Sequence, residues 1–121
     1  MAEVDLTTME RPLWHVTLTL TGDPVPTEQL KTALNRLVDE RPFMLSVRYG
    51  PDRVELRFWD EAEDVDDAAA IALRLWGDHR GSAGLPSWRV VGLEVLDRET
   101  VHARGTDGVA RPLVAAGVAP L

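Results

Sequence analysis

Two hydrophobic periods alternate along this chain, and their order limits what it can fold into. Residues 13–20 (LWHVTLTL) repeat every second residue, with Trp14, Val16, Leu18 and Leu20 on one side and Leu13, His15, Thr17 and Thr19 on the other. That period, rich in β-branched residues, predicts a half-buried strand. Thr21-Gly22-Asp23-Pro24 ends it. Residues 28–40 switch to helical spacing, with Leu30, Ala33, Leu34, Leu37 and Val38 on one stripe. Thr27 is read as the N-cap, and Arg41-Pro42 as the stop, because proline pushes the preceding residue out of helical geometry.

Period two returns at 43–49 (FMLSVRY) and at 53–59 (RVELRFW), joined by the turn Gly50-Pro51-Asp52. In the first run Phe43, Leu45, Val47 and Tyr49 are expected inward, and Met44, Ser46 and Arg48 outward. In the second, Val54, Leu56 and Phe58 are expected inward, and Glu55, Arg57 and Trp59 outward. Residues 64–80 read as a second helix. Asp64 is its expected N-cap, Asp66 and Asp67 lie in its first turn, and Gly81 is its expected C-terminal stop. Residues 88–96 (WRVVGLEVL) read as a fourth strand, with Val91, Leu93 and Val95 inward and Trp88 outward. Asp97-Arg98-Glu99 reads as a turn, and 100–104 as a short fifth strand.

The order β-α-β-β-α-β, with right-handed crossovers, predicts a ferredoxin-like α+β sandwich. A four-stranded antiparallel sheet would carry both helices on one face. Residues 1–11 are expected to form an N-terminal arm, 12–104 the single domain, and 105–121 a tail, disordered or laid on a surface. A chain of 121 residues fits one domain of this kind.

Composition removes several function classes. There is no cysteine, so disulfides, thiolate metal sites and cysteine nucleophiles are excluded. The net charge is −7, which opposes the basic footprint of a nucleic-acid binder. Six of the acids fall within residues 60–67 (DEAEDVDD), and the rest of the chain is nearly balanced. That run lacks the glycine of a calcium loop and reads as a solvated helix start. No apolar run approaches the ~18 residues of a membrane span. The acidic first ten residues do not resemble a signal peptide, so a cytoplasmic setting is expected. Twelve Arg against one Lys, with abundant Ala, Val, Gly and Pro, suggests a bacterial source of high GC content.

The phosphate-binding glycine motifs and the serine-hydrolase elbow are absent. No cofactor and no metal are expected, since His15, His79 and His102 do not fall at metal-ligand spacings. The functional expectation therefore rests on the uncovered sheet face. Met44, Arg48, Arg57, Trp59, Trp88 and His15 are the candidate contact residues there, because aromatics, Met and Arg are enriched at interfaces. The leading expectation is a non-catalytic interaction module that packs this face against a second copy or another protein. The alternative is a sensor or regulatory domain holding a small anion near Arg48 and Arg57. An enzyme using His15 or His102 with a carboxylate ranks third.

Overall fold

The computed structural model describes residues 11–104 and 117–121. Among these residues the fold is mixed α+β, with a five-stranded sheet and three helices. Its elements in chain order are β1 (Leu13–Thr21), α1 (Thr27–Glu40), β2 (Met44–Gly50), β3 (Arg53–Glu61), α2 (Val65–Ala83), β4 (Arg89–Asp97), α3 (Arg98–Ala103) and β5 (Val118–Pro120). The strand order is β4-β1-β3-β2-β5. The first four strands pair antiparallel, and β5 joins β2 in parallel.

One face of this sheet makes the core. Val16, Leu18 and Leu20 of β1 meet Val54, Leu56 and Phe58 of β3, all essentially without exposure. The buried stripes Leu30, Ala33, Leu34, Leu37 of α1 and Ala72, Leu75, Trp76, Ala83 of α2 close over them. α1 packs towards β2 and β5, and α2 towards β1 and β4.

The helix ends depart from their expected caps. Pro26, not Thr27, occupies the N-cap of α1 and offers no side-chain bond. Proline suits this site, because its missing N–H would be unsatisfied there anyway. Asp64 does cap α2, accepting from the Asp67 N–H at 2.8 Å. That helix runs through Gly81 and stops at Gly84, whose φ of 78° needs a residue without a Cβ.

Two bulges correct the expected inward lists. In β2 the register shifts between Met44 and Ser46, so Leu45 is the extra residue. Met44 therefore faces the core at 3% exposure, opposite Phe58. Phe43 stays in the turn closed by the Met44 N–H on Arg41 O, and is 74% exposed. In β4 the shift falls at Thr19/Leu20, where Gly92 opposes Thr19 and Val90 opposes Leu20. Val91 is the residue looped out, and Val90 takes its expected place against the core.

Trp88 is also corrected. It precedes β4 and is 7% exposed, stacked on Trp76 with centroids 6.3 Å apart. Its indole N–H reaches Asp23 O at 2.8 Å. Gly22 makes the space, since a Cβ there would lie 2.3 Å from Trp88 Cδ1.

The C-terminal third differs most. The expected strand at 100–104 is helix α3, nucleated by Asp97, whose carboxylate accepts from the Thr100 N–H at 2.7 Å. The sheet is five-stranded rather than four-stranded because residues 118–120, expected to lie in the tail, pair with Val47, Arg48 and Tyr49. The N-terminal arm, except Arg11, and residues 105–116 of the tail lie outside the described residues.

Candidate functional site

The sheet face opposite the core is built in three rows across the strands. Arg48, Glu55, Thr19 and Gly92 form one, and Ser46, Arg57, Thr17 and Glu94 the next. The third holds Trp59, His15 and Leu96. The first two rows are polar and half-covered by their own neighbours. Arg57 Nε lies 3.4 Å from Glu55 Oε1. Arg48 Nη1 donates to Gly117 O at 2.8 Å and to Val47 O at 3.1 Å, which ties β5 to its strand. Of the six candidate residues, Met44 and Trp88 are therefore in the core. Arg48, Arg57, Trp59 and His15 lie on the sheet face opposite the core.

The third row is covered. α3 lies against β1 and β4 at this end of the sheet. Its Val101 is buried, and His15 has no exposed surface at all. The His15 ring meets Trp59 edge-on at 5.2 Å, and neither ring nitrogen has a hydrogen-bond partner among the described residues. Burial holds its pKa below the ordinary value, and the Arg57 charge adds to this while Glu94 opposes it. A neutral imidazole without an orienting carboxylate or access to solvent is poorly placed for proton transfer. His102 is exposed on α3. Among the described residues no three His, Asp or Glu side chains converge as a metal site requires.

Two surface features were not legible in the sequence. The first is a cleft of about 580 Å³ between α3 and the start of β2, bordered by Leu13, Phe43, Trp59, Glu61, Arg98 and His102. Its residues come from β1, β3, α3 and the turn before β2, and converge only in the fold. The second is the outer edge of β4. No described strand pairs with it, and Val91 and Leu93 are 46% and 38% exposed. A third cluster is structural: Glu40 of α1 accepts from Ser82 Oγ at 2.7 Å and lies 2.6 Å from His79 Nδ1, both on α2. The serine bonds the carboxylate rather than the imidazole, so this is a helix-to-helix latch and not a catalytic triad.

No described helix is long and apolar enough to cross a membrane. No curated protein matches the chain. A family model described as a domain of unknown function, DUF8830, matches residues 13–112. With most of its length inside that match, the chain belongs to the DUF8830 family.

Proposed function

We propose that this domain is a non-catalytic interaction module that associates with a second copy of itself, in a bacterial cytoplasm, through the free edge of β4. The observation that carries the proposal is that edge. It runs for nine residues without Pro or Lys, and it turns Val91 and Leu93 to solvent. Long apolar edges template pairing with another strand, and proteins usually cover or charge them.

The sequence of β4 is self-complementary in the antiparallel sense. A two-fold axis at Leu93 brings the Arg89 end of one strand to the Asp97 end of the other. It sets Glu94 opposite Gly92 rather than opposite a second Glu94, so no like charges face each other. The bulge at Val91 confines regular pairing about that axis to Gly92, Leu93 and Glu94. Such a dimer continues one sheet through both copies and sets their open faces side by side. The order of the first four strands supports reading each unit as ferredoxin-like, with β5 added. The protein partners of Arg48 and Arg57 weaken the alternative of an anion held between them.

Sedimentation velocity across a concentration series tests this. A monomer–dimer equilibrium is expected, and Leu93→Lys should shift it to monomer with an unchanged circular dichroism spectrum. Val65→Lys, a change at an exposed apolar residue on α2, should leave the dimer intact. A strictly monomeric parent at high micromolar concentration, or a dimer indifferent to Leu93→Lys, would overturn the proposal.

A further inference from the structure

The cleft beside α3 has a chemistry of its own. Leu13, Phe43 and Trp59 give it an apolar lining. Three of the four tryptophans donate their indole N–H to a backbone carbonyl: Trp14 to Ala62, Trp76 to Pro86 and Trp88 to Asp23. Trp59 makes no such bond among the described residues.

Three of the four titratable groups around the cleft are equally unspent. Asp60 is occupied, held by Arg41 Nη2 at 3.0 Å and accepting from the Glu61 N–H. The Glu61 carboxylate, Arg98 guanidinium and His102 imidazole have no hydrogen bond or ion pair among the described residues. Arg98 and His102 stand one helical turn apart on α3, so their side chains share a face. Glu61 and Arg98 also border a second, adjoining cleft, which places both at a common rim.

We infer that this cleft binds a small zwitterion with an apolar body, of the class of apolar α-amino acids, with its carboxylate on Arg98, its ammonium on Glu61 and its side chain on Trp59 and Phe43. A plain carboxylic acid would satisfy Arg98 and leave Glu61 facing a like charge. A plain amine would satisfy Glu61 and face Arg98. Only a ligand carrying both charges answers both groups. The volume lies in the usual range for small-molecule sites, and flat aromatic walls suit an apolar substituent. No residue of β4 lines this cleft, and thermal shift reads it apart from the sedimentation test of self-association.

Thermal shift with L-phenylalanine, L-leucine and L-tryptophan at millimolar concentration provides the test, with 3-phenylpropionate and phenethylamine as single-charge comparators. At least one amino acid should raise the Tm in a saturable way. The comparators should bind at least about tenfold more weakly, the loss expected for one charge-assisted hydrogen bond. Arg98→Gln, at an exposed position, should weaken the amino acid by a similar factor. On the unmodified chain, the Trp59 indole resonance should move in a ¹H–¹⁵N spectrum on titration. No shift from any of the three amino acids would defeat the inference. So would equal binding of 3-phenylpropionate, undiminished binding by Arg98→Gln, or an unmoved Trp59 resonance.

Discussion

The two edges of the sheet are finished differently. At the β2 edge the chain returns on itself: Val118, Ala119 and Pro120 pair with Val47, Arg48 and Tyr49, and the Leu121 N–H reaches Tyr49 O at 2.8 Å. The added strand is three residues long and contains Pro120, which has no N–H to offer a further strand. At the β4 edge the outer side of a nine-residue strand meets no described strand, and Val91 and Leu93 are exposed there. The same physical liability is closed on one side and left open on the other. That asymmetry is the reason to look for a partner at β4, because its bulge and its charges at Arg89, Glu94 and Asp97 still leave Val91 and Leu93 exposed with no described strand beside them.

The largest effect is expected where the open edge is rooted. Trp88 leads into β4, stacks on Trp76 and fills the space left by Gly22. Trp88→Ala should cost about 3–5 kcal/mol in urea unfolding, the range for deleting a buried large aromatic. A loss under about 1 kcal/mol would mean that β4 is held by its ladder with β1 alone.

The closed edge should respond next. Deleting residues 117–121 removes the partly buried Val118 and the carbonyl that Arg48 grips. A loss of about 2 kcal/mol is expected, of the order of one buried valine. The sharper readout is association. In a Leu93→Lys background, monomeric through its blocked β4 edge, the deletion should restore self-association through the newly bared β2. If that doubly altered chain stays monomeric, an open edge is not sufficient, and the special property of β4 lies in its side chains.

Between the edges, the sequence shows its fold where one period runs without interruption. β1, α1 and β3 showed their faces because apolar and polar positions alternated cleanly. β2 and β4 did not, and the cause is local. Phe43, Met44 and Leu45 are three apolar residues in a row, and Val90 and Val91 are two. Either register buries something, so the bulge decides, and nothing in the residue types announces it. The start of α3 is legible in principle, since Asp97 stands three residues before Thr100 in a capping arrangement, but Asp97-Arg98-Glu99 has the composition of a turn as well. β5 is too short to carry a period. The candidate cleft was beyond reach for a different reason: Leu13, Phe43, Glu61 and Arg98 are distant in the chain and meet only through strand order.

His15 sits one strand in from the open edge, paired with Leu96 of β4. Its buried, unpartnered nitrogens should make it a net cost to the fold, so His15→Leu should gain about 1–2 kcal/mol near neutral pH. The sign of the pH effect follows from its lowered pKa. Below its ordinary value of 6.5 the unfolded chain takes up a proton that the folded chain refuses. Stability of the parent should therefore fall as the pH drops through that value, and His15→Leu should flatten this limb. Urea midpoints at about pH 5 and 7.5 would measure it. An equal acid slope in both chains would show that His15 is protonated inside the fold, with a partner the geometry does not display.

The smallest effect joins the two sides. α1 belongs to the closed edge and α2 to the open one, and Glu40 clasps His79 and Ser82 across the gap. The hydrogen bond with His79, and after it that from Ser82, lowers the Glu40 pKa. A lowered carboxylate contributes stability above its unfolded pKa and loses it as the pH falls through the folded one. The latch is exposed, so salt and solvent screen it, and Glu40→Gln should weaken the fold by less than any change above. Its signature is pH rather than size. The parent should lose more stability than Glu40→Gln as the pH falls below about 4, while the two converge in strong acid. Should Glu40→Gln also change the dimer equilibrium, the two edges are mechanically coupled through the helical layer. Should it leave that equilibrium untouched, β4 pairs as a local device that does not consult the closed side of the sheet.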